Sequence, residues 1–185
     1  MRVTGGVLGG RLLRVPGGGA IRPTQDRVRE ALFSMLQGEL AGAVFLDLFA
    51  GTGSAGLEAL SRGAAAATFV ERHPAHVAAL RGNLEMAVAL GPATVVRADA
   101  YRWLAAYRGE GFTIGFADPP YALGEEKGYA SVLSTLAGRG VIRPGGRFVA
   151  EMTAVQRAEE TPGWLLLRDR IYGKTRLCVW RREMV

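Results

Sequence analysis

The chain has 185 residues, 49% of them hydrophobic, and a formal net charge of +6. That length suits one domain with a substantial core, and no stretch approaches the roughly 18 apolar residues of a membrane span, so a soluble protein is expected. Cys178 is the only cysteine, which excludes an internal disulfide and a cysteine-based metal site and fits a reducing cytoplasm.

The first segment, RVTGGVLGGRLLRVPGGG, sets two short apolar runs around Gly9 and Gly10, which predicts a β-hairpin followed by a flexible link at Gly17 to Gly19. Met1 to Leu13 holds Arg2 and Arg11 around only a short apolar run, so it lacks the core of a signal peptide. Residues 1 to 37 carry six arginines against Asp26 and Glu30, which is +4 of the +6. Such an arm suits an anionic partner such as nucleic acid, and a solvated basic face is the plainer alternative. Of the 23 basic residues 21 are arginine, which favours bidentate phosphate contacts but equally follows from genomic base composition. Asn83 is the only asparagine, a weak hint of a heat-adapted source. Pro23 and Thr24 start a helix, with Val28, Ala31, Leu32, Met35 and Leu36 on one face and Arg27, Glu30, Ser34 and Gln37 opposite.

From Val44 onward strands and helices alternate, the pattern of a parallel sheet covered on both faces. The expected strands are 44 to 48, 67 to 71, 93 to 97, 113 to 117, 146 to 151, 164 to 170 and 175 to 181. Helices are expected at 54 to 62, 74 to 90, 100 to 107 and 126 to 138. Only IYGK separates LLLRDR from TRLCVW, so the sheet should end in an antiparallel pair.

Three groups of residues point to chemistry. AVFLDLFAGTGSAGLEAL passes from a buried strand through Gly51, Gly53 and Gly56 into a helix, and so fits G-x-G-x-x-G in its strand-turn-helix context. Such glycines let backbone N–H groups and a helix N-terminus approach a ligand. Asp47 stands at the end of the first strand, and Glu71, Asp99 and Asp118 at the exits of the second, third and fourth, the carboxyl ends where ligands bind in open α/β sheets. Glu71 stands where a carboxylate accepts hydrogen bonds from a ribose, whereas helix capping alone would also explain Asp99. Asp118, Pro119, Pro120 and Tyr121 leave the fourth strand as a stiff turn whose two prolines donate nothing and whose carbonyls are free to accept. That turn suits an amino substrate: Asp118 and the Pro119 carbonyl as acceptors for an exocyclic base –NH₂, Tyr121 as a stacking platform. A rigid strand-ending turn with a buried tyrosine is the structural alternative.

DLFAGTGSAGLEALSRGA together with DPPY resembles the S-adenosylmethionine-dependent amino methyltransferases. GGVLGGRLL, RPTQDRVREALF and YGKTRL extend the resemblance over the whole chain, to the bacterial 16S rRNA guanine-N2 methyltransferases of the RsmD type. The resemblance implies a Rossmann-like α/β fold: a seven-stranded, mostly parallel sheet with an antiparallel C-terminal pair, plus an N-terminal β-hairpin and helix. It implies an arm over residues 1–22 and a methyltransferase domain over 23–185. By the same resemblance Asp47, Phe49, Gly51 and Gly53 surround the methionine end of S-adenosylmethionine, Glu71 with Arg72 lies at its ribose, and Asp99 with Ala100 contacts its adenine. Asp118, Pro119, Pro120 and Tyr121 become catalytic. Arg22, Thr24 and Arg27 lie over the cofactor mouth beside the RNA, and Arg2, Arg11 and Arg14 on the hairpin complete the RNA-binding set. The implied partner is 16S ribosomal RNA or an assembling small subunit, with no metal, no membrane and a monomeric, cytoplasmic enzyme.

Three rivals differ in class. A DNA adenine-N6 or cytosine-N4 methyltransferase shares the DPPY acceptors, but no gap between motifs leaves room for an added recognition region. An NAD-dependent dehydrogenase leaves DPPY and the basic segment unexplained. A non-enzymatic RNA-binding module has no use for the acidic strand ends. His73 and His76 are the only histidines, and His73, near a helix start, reads as an exposed residue before it reads as a base.

Overall fold

The computed structural model describes residues 1–18, 23–119 and 129–184. Two compact units divide it, Met1–Asp99 and Ala100–Val185.

In the first unit, α1 (Pro23–Met35) precedes β1 (Val44–Asp47), α2 (Ser54–Ser61), β2 (Ala66–Glu71), α3 (Pro74–Leu84) and β3 (Ala93–Arg97). β2 pairs in parallel with β1 on one side and β3 on the other, with Asp47 opposite Phe69 and Glu71 opposite Arg97. Phe45, Leu46, Leu57, Leu60, Phe69 and Leu80 are wholly buried and form the core that fixes this β-α-β-α-β run. Of the stripe expected on α1, Val28 and Leu32 are buried, as is Leu36 just past its end, and Ala31 and Met35 are half-buried; Phe33, outside that stripe, is buried as well, together with the charged Asp26 and Arg29. α3 stops at Leu84, earlier than the expected residue 90. A 3-10 turn at Glu85–Ala87 tightens its end, and Gly91 and Pro92 then preclude further helix.

The second unit runs α4 (Ala100–Ala106), β4 (Phe112–Ala117), α5 (Tyr129–Gly138), β5 (Ile142–Thr153), β6 (Trp164–Tyr172) and β7 (Thr175–Arg182). The expected helix start at 126 lies outside the described residues. β5 begins four residues before the expected 146, because R-P-G-G at 143 to 146 is a bulge within the strand rather than a turn before it. Phe112 pairs with Ile142 and Ile114 with Arg147, and Gly145 takes φ 76° to absorb the extra residues. β5 pairs with β7, and β7 with β6, both antiparallel. Gly173 takes φ 62° as the first residue of the two-residue β6–β7 turn, the position at which a II′ turn requires glycine. The strand order is β3-β2-β1-β4-β5-β7-β6, the seven-stranded, mostly parallel sheet with an antiparallel C-terminal pair expected from the sequence.

The N-terminal hairpin is closed by one isolated antiparallel bridge, Arg2 to Leu12, with no extended ladder. It contributes no strand to the sheet, yet it is anchored. Val3, Leu8 and Leu13 are buried, Ser61 Oγ accepts the Leu8 N–H at 2.8 Å and donates to the Gly5 carbonyl at 2.6 Å. The anchor is the fully buried Glu58 of α2. Its carboxylate accepts the Thr4 N–H at 2.9 Å, Arg29 Nε at 3.0 Å and Arg62 Nη2 at 2.7 Å. Arg29 also meets Asp26 at 2.8 Å and the Arg2 carbonyl, so the buried charges neutralise one another.

Candidate active site

The glycine turn is built by three different constraints. Gly51 and Gly53 sit at φ 53° and 88°, conformations that other residues rarely adopt. At Gly56 the constraint is space, because a Cβ there would fall 2.2 Å from Cε1 of Phe69, so glycine lets α2 lie against β2. Two carboxylates then hold the loop. Asp47, buried at the end of β1, accepts the Gly56 N–H on Oδ2 at 3.1 Å. Glu71 accepts the Gly51 N–H on Oε2 at 2.8 Å and the His73 N–H on Oε1 at 2.7 Å. Each oxygen of Glu71 keeps further acceptor capacity.

Phe49 is half-buried just past β1, Arg72 is exposed after β2, and Asp99 is half-buried immediately before α4, whose first residue Ala100 is buried. His73 is exposed. The His76 Nδ1 stands 3.8 Å from Glu71 Oε1. Asn83 is a residue that the sequence reading passed over as a site. Its amide accepts the Arg14 N–H at 2.8 Å and donates to the carbonyls of Arg14 at 3.1 Å and Thr52 at 2.9 Å, tying the N-terminal segment to the glycine turn. The one signal available was a lone amide among apolar helix positions.

In the second unit, Asp118 follows β4, exposed beside the buried Pro119. Protein packed around it pushes its carboxyl up to about 6 by desolvation. Tyr129, buried at the start of α5, donates its hydroxyl to the Glu151 carbonyl at 2.9 Å; desolvation first, then the nearby Asp118 charge, drive its pKa upward, so it stays a neutral phenol. Pro120 and Tyr121 lie outside the described residues, as does Arg22.

Among the expected RNA-binding residues, Arg2, Arg11, Arg14 and Arg27 are exposed, and Thr24 lies in the first turn of α1. Arg2 Nε is 3.5 Å from Asp26, and Arg14 Nη2 is 4.0 Å from Glu85.

The first unit fits a cofactor with a ribose and a cationic amino-acid end. A Cβ on Gly51 would meet nothing within 4 Å, so space is open in front of the turn, and the carboxylates of Asp47, Glu71 and Asp99 stand at successive strand ends. With the strand order and the antiparallel terminal pair, this is the architecture of a Rossmann-like methyltransferase. Comparison with known proteins narrows the class. The chain belongs to the family described as Conserved hypothetical protein 95, which matches residues 1–181. It is 37% identical to Ribosomal RNA small subunit methyltransferase D of Escherichia coli, over 99% of this chain and 90% of that one. It is 36% identical to YlbH of Bacillus subtilis, over 99% of this chain and 100% of that one. The solved structure of yhhF from Escherichia coli matches it with a TM-score of 0.86 and 36% identity, covering 99% of this chain and 98% of that chain.

Proposed function

We propose that this enzyme methylates the exocyclic N2 of a guanine in small-subunit ribosomal RNA. The observation that carries the chemistry is Asp118, an accessible carboxylate with a raised pKa, followed by the buried Pro119 at the end of β4. The near-full-length similarity to a protein named for small-subunit ribosomal RNA supports RNA over DNA as the substrate.

S-adenosylmethionine supplies an electrophilic methyl on a sulfonium. Asp47, Phe49, Gly51 and Gly53 would hold its methionine end, Glu71 with Arg72 its ribose, and Asp99 with Ala100 its adenine. The Asp118 carboxylate and the Pro119 carbonyl each accept an N–H from the target amine, which turns its lone pair out of conjugation with the base. Tyr121 would stack on the base, and Pro120 completes the proposed catalytic set. As N2 takes the methyl group, the Asp118 carboxylate would accept the amine proton and pass it to solvent. The base reaches this turn unstacked. Residues 1–22 form an RNA-binding segment in which Arg2, Arg11, Arg14 and Arg22, with Thr24 and Arg27 of α1, hold phosphates; residues 23–185 form the catalytic domain. The enzyme acts as a cytoplasmic monomer on the RNA of an assembling subunit.

The test is transfer of labelled methyl to naked 16S RNA, to partly assembled subunits and to finished subunits, followed by digestion to nucleosides and mass spectrometry. N2-methylguanosine is expected; label in N6-methyladenosine, or only in DNA, overturns the reading. Asp118→Ala is expected to lower kcat by about 10² to 10⁴ while cofactor affinity, read by calorimetry, stays within about twofold.

A further inference from the structure

The β6–β7 hairpin carries charge that the proposed site does not use. Residues 164 to 182 hold six cations, Arg168, Arg170, Lys174, Arg176, Arg181 and Arg182, against a single carboxylate, Asp169. Asp169 is already engaged: its Oδ1 lies 3.5 Å from Arg176 Nε and 3.7 Å from the Cys178 thiol. Arg168 and Arg170 are exposed, and each directs Nη1 only to a neighbouring backbone carbonyl, of Leu167 at 2.9 Å and Asp169 at 3.0 Å. Among the described residues no carboxylate comes within 4.0 Å of Arg168, Arg170 or Lys174.

The pairing register fixes where these groups stand. Ala117 of β4 lies opposite Ala150, and Asp118 follows it, level with Glu151. Glu151 pairs with Leu177 and Leu177 with Arg170, so Arg170 closes the cross-strand row that passes Asp118. Three strand spacings of roughly 4.8 Å put it about 14 Å away, a span that a few nucleotides of extended RNA cover. Arg168, Arg170 and Tyr172 alternate onto one face of β6, and the turn with Lys174 projects past Thr153, at the same strand-end edge as Asp118.

We propose that the β6–β7 hairpin is a second clamp on the RNA backbone, in which Arg168, Arg170 and Lys174 hold phosphates of the strand flanking the nucleotide presented to Asp118. The inference rests on the reading of RNA as the substrate. Arginine at two of the three positions suits the forked geometry of phosphate, and the exposed lysine of a tight turn adds a compact charge.

The test uses the full chain, a 16S RNA transcript and a potassium chloride series. Arg170→Ala with Lys174→Ala is expected to reduce the slope of log affinity against log salt by roughly 0.7 to 0.9 for each lost contact. The KM for RNA should rise several-fold, with kcat and cofactor affinity unchanged. Arg170→Lys with Lys174→Arg should restore both slope and KM. Arg108→Ala with Arg139→Ala removes the same charge from the opposite edge of this unit and should leave the slope as in the wild type. A wild-type slope in the first double variant, or an equal drop in the opposite-edge variant, overturns the proposal. Binding is read separately from transfer, so a wild-type enzyme that methylated no ribosomal RNA would refute the assigned activity, while the slopes would still decide this point.

Discussion

Asp118 shows how one carboxyl couples function to stability. Its folded pKa of about 6 lies above the 3.8 of a free aspartate, so the folded state binds its proton more tightly than the unfolded state does. The sign follows directly. Above pH 6 the folded protein holds a partly desolvated charge, a destabilising condition, and the penalty is relieved as pH falls from about 6 towards 3.8. Asp118→Asn removes the charge at every pH. Thermal melts should therefore show the variant more stable than the wild type at pH 8, with the difference shrinking as pH falls from about 6 and vanishing only below about 3.8, although the variant has lost transfer activity. For the wild type, kcat/KM should fall as pH drops through about 6, because a protonated carboxyl loses acceptor capacity towards the amine. A variant less stable than wild type at pH 8 would show that Asp118 is structural.

At the scale of elements, the glycine turn separates packing from binding. Gly56→Ala drives a methyl into the buried ring of Phe69, and overpacking of that kind costs about 1 to 3 kcal/mol, offset by about 0.5 to 1 from the better helix former. Gly51→Ala meets no atom, but it adds backbone strain of about 1 to 2 kcal/mol and places a methyl where the cofactor would lie. The two costs to folding overlap, so cofactor calorimetry should separate the variants: Gly51→Ala loses affinity, whereas Gly56→Ala, whose methyl lies on the buried side of the turn, keeps it close to wild type. The sequence made this element readable because its constraints are local: a bulky run, glycines at fixed spacing, and an amphipathic restart. The same holds for β2, β3, β4 and the β6–β7 pair, whose ends fall within one or two residues of expectation. What stayed hidden depends on distant partners. Glu58 meets Thr4 across 54 positions and Asn83 meets Arg14 across 69, and no spacing rule links such residues. The bulge in β5 was hidden for another reason, since Arg143, Pro144, Gly145 and Gly146 have turn chemistry, and only pairing on both sides makes them part of a strand.

For the molecule as a whole, the placement of charge decides which experiment can test RNA binding. Removing residues 1–22 would delete arginines and also strip Thr4 from Glu58, Arg14 from Asn83, and the buried Val3, Leu8 and Leu13 from the core of the first unit. A weakened truncation would therefore report lost folding as readily as lost contact. Point variants avoid this. Arg11 is exposed, and the pairing of Arg14 with Glu85 joins two exposed side chains at 4.0 Å, an arrangement worth little to stability. Arg11→Ala with Arg14→Ala should leave the thermal midpoint close to wild type and lower the salt slope for a 16S RNA transcript by roughly 0.7 to 0.9 per contact. If the N-terminal segment and the β6–β7 hairpin each hold their own phosphates, combining this pair with Arg170→Ala and Lys174→Ala should lower the slope by the sum of the two changes. A combined slope no lower than either pair alone would mean that the two sets compete for the same phosphates; an unchanged slope in the Arg11 and Arg14 pair would remove the N-terminal segment from the RNA interface.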